Sequence, residues 1–364
     1  MKILLIGEYS NVHHTLAKGL RSLGHDVTVA SDGDGWKDYP RDIDLARKSK
    51  GRIYSLVYWA KMKMQFRKFR GYDVVQLINP VFLPLKAERI YSFYHTLRKH
   101  NKRVFLGAYG MDHYWVKAGL DCTTFRYSDF NIGSTQRLDC GENPIFIRDW
   151  LHGEKGKLCR HIAADCDGIV SGLYEYHASY LPYFPEKLRF IPFPIDLSSI
   201  SPSTPPHDGK VHFFIGVQKK RSEYKGTDIM LRALERVVAE NPERCTMKKA
   251  VSVPFREYED MMNHSHVLLD QIYSYTPAMN ALHAMGKGLV VVSGGEPENY
   301  EILGETELRP IINVHPTEES VYQALTHLVN HPEELPKLSS QSHEYISRHH
   351  DHIKVAQRYI EVFA

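Results

Sequence analysis

Short apolar runs recur along this chain, each followed by a segment with helical spacing, and the alternation starts afresh after a break near the middle. A run such as KILLI (2–6) is too short for a helix and lacks polar alternation, so it reads as a strand covered on both faces. Gly7 ends it, Asn11 is placed to cap a helix carrying Leu16, Leu20 and Leu23, Gly24 stops that helix, and DVTVAS (26–31) is the next strand. A strand, a helix and a second strand in that order imply a parallel sheet with helices on its faces. DVVQLI (73–78), RVFLGA (103–108), DGIVSG (167–172) and LRFIPF (188–193) continue the pattern.

Residues 194–209 break it, being rich in Pro, Ser and Thr and holding no long apolar stretch. Such a composition reads as a linker. Beyond it the alternation restarts with VHFFIGV (211–217), a helix from Asp228, KKAVSV (248–253), HVLLDQI (266–272), a helix near 280–285, GLVVVS (288–293) and RPIINV (309–314). The expected division is an N-terminal domain over 1–195, a linker over 196–209, a C-terminal domain over 210–345 and a helical tail over 346–364. Ligands of open α/β sheets bind beyond the carboxyl ends of the strands. Gly7, Gly107, Gly110, Gly216 and Gly294 all fall at or near such ends.

Composition narrows the choice of partner. Forty-six basic and 43 acidic side chains leave a net charge of +3, too small to argue for nucleic acid by itself. The five Cys are odd in number and form no C-x-x-C pair, which suits a reducing compartment. MKILLIG is too short for a signal peptide, and no run approaches a membrane span. The expectation is a soluble cytoplasmic protein.

The crossing from VHFFIGV into the next helix carries Lys219, Lys220, Arg221 and Lys225. Cations beside the positive end of a helix dipole suit a phosphate or diphosphate. A solvated basic loop is the alternative.

KGTDIMLRAL (225–234) resembles the Lys-Gly-Thr/Val-Asp segment of the family 4 glycosyltransferases, which have the GT-B fold. LLDQIYSYTPAMNALHAMGKGLVVVSGGEPE (268–298) is similar to that family's second signature. There a strand end, a Glu-Ala-Met helix, a Gly, a Val-Val strand and a Gly-Gly-x-x-Glu turn follow in order. The opening residues 1–29 resemble the family's first strand-helix-strand unit, and VAQRYIEVF (355–363) its returning helix. The resemblance implies two Rossmann-like α/β domains facing a central cleft, with the C-terminal helix returning to the N-terminal domain. It implies a sugar moved from a nucleotide diphosphate sugar to an acceptor hydroxyl, with retention and without a metal or other cofactor. The donor would lie on the C-terminal domain, and a glycan or lipid-linked acceptor on the N-terminal one.

On that resemblance Lys225 matches the family Lys that holds the diphosphate. The partner Arg usually follows the strand-end Gly directly. Here Gly216 is followed by Val217 and Gln218, so Arg221 takes the role, with Lys219 in reserve. Preplaced cations would stabilise the charge that the leaving diphosphate gains. Two family Glu residues, eight positions apart, are replaced by Tyr275 and His283. A neutral His accepts one hydrogen bond from a ribose hydroxyl where a carboxylate would accept more. Asp270 is a nearby acid that could help. Gly295 and Glu298 fall on the Gly-Gly-x-x-Glu turn, with Glu298 facing the donor sugar.

In the N-terminal half, GAYGMDHYW (107–115) resembles the family's His-Gly-x-Asp segment, with Tyr109 in place of the His. Asp112 and His113 would then position the reacting groups near the acceptor, joined by Tyr109, Asn11 and His13. Gly7 would let the backbone approach the donor phosphate, although Glu8 beside it would repel a phosphate if it pointed inward. Residues 47–72 hold nine Lys or Arg and no acid, interleaved with aromatic side chains. That composition suits an anionic membrane surface, which would place the protein peripherally at the inner face of the membrane. Nucleic acid is the weaker reading because no accompanying motif is found. Three rivals stand beside the transferase. They are a nucleotide-sugar epimerase or hydrolase on the same scaffold, a non-catalytic nucleotide-sugar-binding protein, and a dinucleotide dehydrogenase. The last lacks a G-x-G-x-x-G after Ile6.

Overall fold

A computed structural model describes the chain except for Lys48, Lys50, Lys219 and Lys220. It divides into two compact units, each with its own parallel sheet. Unit 1 comprises Met1–Lys117, Phe146–Pro194 and His352–Ala364, and unit 2 comprises Ala118–Ile145 and Ile195–Asp351.

The first strands of unit 1 are β1 (Lys2–Ile6), β2 (Asp26–Ser31), β3 (Ile43–Asp44), β4 (Val74–Leu77) and β5 (Arg103–Ala108). Three very short strands come next in the chain, β6 (Tyr127–Ser128), β7 (Asn131–Ile132) and β8 (Thr135–Gln136), and form an antiparallel ribbon of their own. β9 (Gly168–Ser171) and β10 (Leu188–Phe190) then complete the sheet of unit 1. Its order is β10-β9-β5-β4-β1-β2-β3, with every pair parallel. The chain winds outward from β1 in both directions, as in a Rossmann sheet, and β1 and β4 flank the reversal. Ile3 to Ile6 are fully buried, because helices cover both faces. The C-terminal helix His352–Phe363 belongs to this unit and packs on the helix Val12–Ser22. A Cβ on Gly19 would come within 2.2 Å of the His352 carbonyl oxygen, so the two helices touch backbone to side-chain-free backbone.

Unit 2 continues with β11 (Val211–Val217), β12 (Cys245–Val251), β13 (Val267–Leu269), β14 (Val290–Ser293) and β15 (Ile311–Asn313). The order is β12-β11-β13-β14-β15, again all parallel, with the reversal between β11 and β13. The helix Thr227–Glu240 buries Thr227, Met230, Ala233, Leu234 and Val237 and packs against β11 and β12. Ile229 and Leu231, apolar at neighbouring positions, stay half-buried at the margin of that face. β12 runs three residues ahead of the apolar run KKAVSV that marks it in the sequence. It is an edge strand, so polar Thr246, Lys248 and Lys249 are tolerated along it, and apolar content alone locates it poorly.

The Pro- and Ser-rich stretch after Pro194 clusters with unit 2 and is docked along it. Ser203 N–H donates to the Lys287 carbonyl at 2.9 Å, Thr204 N–H to that of Asn263 at 2.7 Å, and Leu197 and Ile200 close over Gly286. The segment Ala118–Ile145, placed by sequence in the N-terminal half, also clusters with unit 2.

Candidate functional site

β11 and β13 are neighbours whose chains leave the sheet on opposite sides, which makes their carboxyl ends the switch point of unit 2. After β11 the chain passes through Arg221, the single-turn helix Ser222–Lys225 and Gly226 into the helix Thr227–Glu240. Gly226 is left-handed, with φ +72°, and a Cβ there would stand 2.3 Å from Ile272 Cγ1. The Lys225 carbonyl accepts the Ile272 N–H at 3.2 Å, so the loop after β13 clamps the backbone at Lys225. Lys225 is half-buried, and its ammonium makes no hydrogen bond or ion pair to any described residue. Arg221 stands over the Tyr224 ring at 5.4 Å, lies 3.9 Å from Glu142, and has a buried Nε without a hydrogen-bond partner. Lys219 lies outside the described residues.

Asp270 ends β13. Its Oδ1 accepts from Asn280 Nδ2 at 2.9 Å, while its buried Oδ2 has no hydrogen-bond partner. Tyr258 in turn donates to Asn280 Oδ1 at 3.0 Å and lies across Gly216, where a Cβ would be 2.7 Å from its ring. The glycine at the end of β11 therefore makes room for Tyr258. His283 faces the helix Phe255–Asn263, and its Nε2 is 3.2 Å from Glu259. His283 thus has a carboxylate beside it that another helix supplies.

The third corner lies beyond β14. Gly294 and Gly295 admit the close passage of Ser274 and Ile311, where a Cβ would be 1.7 Å and 2.8 Å from the nearest atoms. Glu296 and Glu298 follow, and both are engaged by Arg126 from the segment Ala118–Ile145. Arg126 Nη2 is 2.9 Å from Glu296 and 3.1 Å from Glu298, and its guanidinium lies 4.7 Å from the centre of the Tyr275 ring. Glu296 also accepts from the Tyr127 hydroxyl and from Asn313 Nδ2. Burial would raise the Glu296 carboxyl, but Tyr127, Asn313 and the Arg126 charge outweigh it and hold the group below its ordinary range. Tyr275, which the resemblance sets at the first Glu position, packs its ring 5.1 Å from that of Tyr127. Its hydroxyl accepts the Arg126 backbone N–H at 2.6 Å.

Unit 1 presents a different picture at its own reversal. Glu8 is buried and accepts the N–H groups of His13 at 3.2 Å and His14 at 2.9 Å. These are first-turn donors of the helix Val12–Ser22, so Glu8 fills the position where a dinucleotide-binding Rossmann unit holds its pyrophosphate. Burial pushes its carboxyl up to about 8 against those hydrogen bonds. Asn11 does not cap the helix with its side chain. It is left-handed, with φ 71°, and Glu8 supplies the oxygens in its place. Gly7 is needed for packing, since a Cβ would fall 2.2 Å from Ile78 Cγ2.

His13 is fully buried, with Nδ1 on the Gly7 carbonyl at 2.8 Å, and burial pushes its pKa down to about 3. Tyr109 is buried as well, bonded to the Tyr359 hydroxyl and accepting from Gln76 Nε2 at 3.1 Å. Both side chains sit in the packing of unit 1, and neither is placed at a surface where an acceptor could meet it. Asp112 caps the helix His113–Leu120 through Trp115 N–H at 2.9 Å, and accepts from the Tyr180 hydroxyl at 2.8 Å. Burial pushes it up to about 6. His113 Nδ1 is 2.8 Å from the Trp150 carbonyl oxygen and 3.2 Å from Arg160.

Sequence reasoning missed Arg126, Tyr127, Asp129 and Arg137, all on the ribbon segment. One local signal was available: Gly133 and Ser134 between two short β-like pieces mark a hairpin turn. Nothing local announces the partners, which lie across sequence separations such as that from Arg126 to Glu298.

No protein-family model matches the chain, and no curated protein sequence matches it. Solved structures do. Sucrose-phosphate synthase from Thermosynechococcus elongatus is 12% identical with a TM-score of 0.63, over 100% of this chain and 98% of that one. Anabaena HepE in complex with UDP and glucose is 12% identical with a TM-score of 0.61, over 99% and 98%. UDP-GlcNAc 2-epimerase from Neisseria meningitidis, bound to UDP-GlcNAc, is 11% identical with a TM-score of 0.55, over 99% of each chain. The likeness runs the full length of the chain and establishes its fold as GT-B, two Rossmann-like domains with the C-terminal helix returned to the first.

Proposed function

We propose that this protein is a glycosyltransferase that moves a sugar from a nucleotide diphosphate sugar to an acceptor hydroxyl, with retention and without a metal ion. Unit 2 holds the donor and unit 1 the acceptor. The observation that carries this reading is Lys225, a half-buried residue whose backbone is clamped at a switch point and whose ammonium makes no ion pair to a described residue. An ammonium so placed can take a ligand anion without first giving up a protein partner. Lys225 and Arg221 would stabilise the charge that builds on the leaving diphosphate, which is the largest electrostatic change in the reaction. Lys219 would add to them.

The unpartnered oxygen of Asp270 is available to a ribose hydroxyl, with Asn280 fixing its orientation. His283 would contribute through its pairing with Glu259. Glu298, oriented by Arg126, would meet the donor sugar beside Gly295. Asp112 and His113 act as positioning residues on the acceptor side. The helix Arg52–Gln65 exposes Tyr54, Leu56, Val57 and Met64 beside Lys61 and Lys63. Exposed apolar side chains among cations support a peripheral contact with an anionic membrane, and with it a role in polysaccharide or lipid-linked glycan synthesis at the cytoplasmic face.

A thermal-shift screen with nucleoside diphosphates and their sugars tests the core of the proposal. A binder at a hundred times its Kd stabilises the native state by about 2.7 kcal/mol. If no nucleotide shifts the transition, the donor site is refuted. The epimerase reading is favoured by one feature, the Glu296, Tyr127 and His315 group beyond β14, which offers acid and base side chains together. Incubation with a nucleotide sugar and no acceptor, followed by NMR, separates the two: an epimeric product supports the epimerase.

A further inference from the structure

The segment Ala118–Ile145 lies along the rim of unit 2 and is pinned at two places. At one, Arg126 bridges Glu296 and Glu298. At the other, Arg137 donates to the Glu223 carbonyl at 2.7 Å and lies 3.7 Å from the centre of the Tyr273 ring. Tyr273 follows β13 and Glu223 follows β11, so this second pin sits at the switch point. Between the pins stands Asp129. Its Oδ2 accepts the Tyr224 hydroxyl, and its backbone carbonyl accepts Asn143 Nδ2 at 2.9 Å and Arg137 Nη1 at 3.2 Å. Tyr224 lies on the single turn between Arg221 and Lys225, with the Arg221 guanidinium 5.4 Å from its ring, so the Asp129 carboxylate is tied to the turn that carries both cations, and Arg137, Arg221 and Lys225 all pull its pKa down. The chain thus sets one carboxylate among three cations, two of which are the residues assigned to a diphosphate.

We propose that Asp129 is a resident counter-ion of the phosphate site, so that ligand phosphates reach Lys225 and Arg221 only in competition with its carboxylate. The inference rests on the reading of unit 2 as a nucleotide diphosphate site. Without Asp129 the three cations would hold a small phosphate more readily, even with Glu142 near Arg221. With Asp129 in place, a ligand must supply more negative charge, or further contacts, than the carboxylate it displaces. Asp129 is then a specificity-determining residue, one that selects a diphosphate carrying its nucleoside and sugar over free inorganic phosphate.

The charge of Asp129 is also adjustable. Burial pushes its carboxyl up to about 6, against the Tyr224 hydrogen bond and the Arg137, Arg221 and Lys225 charges. The Cys140 thiol is the other titratable neighbour, and it senses Asp129, Glu223 and Asp228 as well as Arg137. As pH falls through about 6, Asp129 takes up a proton and the competition ends. Ligand affinity therefore rises toward acid pH, provided the ligand does not titrate there itself.

The test uses the full-length protein, the variants Asp129→Asn and Tyr224→Phe, and two probes, UDP-glucose and inorganic pyrophosphate, in calorimetry at pH 7.5 and 5.5. Asp129→Asn keeps the shape and can still accept the Tyr224 hydroxyl. It should tighten UDP-glucose binding at pH 7.5 by roughly three- to thirtyfold, the range for removing one partly screened charge. It should also abolish the gain that the unmodified protein shows on going to pH 5.5. Tyr224→Phe frees the carboxylate from its tether and should give a smaller gain of the same sign. Unchanged or weaker binding of UDP-glucose and pyrophosphate to Asp129→Asn overturns the counter-ion role and leaves the donor reading intact. Tighter pyrophosphate binding by Asp129→Asn with no UDP-glucose binding by any form upholds the counter-ion and refutes the nucleotide-sugar reading. If neither probe binds any form, both fall.

Discussion

Replacing Lys225 by Ala is the most direct perturbation of the proposed site, and the structure sets its expected size. The ammonium makes no hydrogen bond or ion pair to a described residue, so its removal strands no other group. The backbone clamp, Lys225 carbonyl to Ile272 N–H, survives in the variant, and Gly226 keeps its left-handed turn. Stability should therefore hold within about 0.5 kcal/mol, the ordinary range for a substitution that breaks no partner. Binding should not. A charge-assisted bond to a phosphate is worth about 1.5–3 kcal/mol, or roughly ten- to 150-fold in Kd. Asp129 already occupies part of the cation field, which argues for the lower half of that range at neutral pH. Isothermal titration with UDP at fixed ionic strength reads the change, and Lys225→Arg should recover part of it because the charge is kept. Equal affinities for the parent and Lys225→Ala, with both proteins folded, would refute the reasoning, since no other residue clamped at this switch point offers an unpaired ammonium among those described.

Arg126→Ala should lower stability by about 1–3 kcal/mol, because Glu296 is left buried without its cation. The Glu296 pKa is depressed in the folded state, so its stabilisation is present above the ordinary value of 4.5 and is lost as pH falls through the depressed one; urea unfolding at pH 7 and pH 3.5 should show the variant's deficit shrinking in acid. Gly226→Ala should cost about 2–4 kcal/mol, from a left-handed backbone and from overlap with Ile272, and calorimetry should show a lowered transition. Glu305 is held down to about 2: burial opposes ionisation, but His349, the Leu308 and Glu307 N–H groups and Arg348 together prevail. Glu305→Gln should therefore cost about 3 kcal/mol at pH 7, falling toward zero between pH 4.5 and 2, and equal losses at both ends of that range would contradict the assignment.

The legible part of this fold is the part governed by local pattern. Buried parallel strands such as β1, β13 and β14 are short, apolar and bounded by turn residues, and each was readable from that fact alone. The edge strand β12 was read out of register because Lys248 and Lys249 are acceptable at an edge, where composition says little. The cationic turn, Lys225 above all, was visible as charge next to a helix start. What local pattern could not convey was pairing over distance. Arg126, Asp129 and Arg137 look like ordinary polar residues of a loop, and their meaning comes only from Glu296, Tyr224 and Tyr273, which stand beside them after folding. Asn11 illustrates the same limit on a small scale. A good capping residue stands at the right place, yet Glu8 takes the helix donors because it can reach two of them at once.

Two parallel sheets in one chain each provide a switch point, and the polar groups at the two points are of opposite character. In unit 1 the first-turn N–H groups of the helix after β1 are already satisfied by the buried Glu8 carboxyl, so an incoming phosphate would find no free donor there. In unit 2 the helix after β11 begins at a glycine turn that directly follows Lys225, whose ammonium makes no hydrogen bond or ion pair to a described residue. The carboxylate that does stand near, Asp129, arrives on a separate segment held by side chains, so it can move or be neutralised without unmaking the sheet. Glu8 is held by the helix it caps and has no such freedom. If a nucleotide diphosphate binds this protein, the physical chemistry of the two reversals directs it to unit 2.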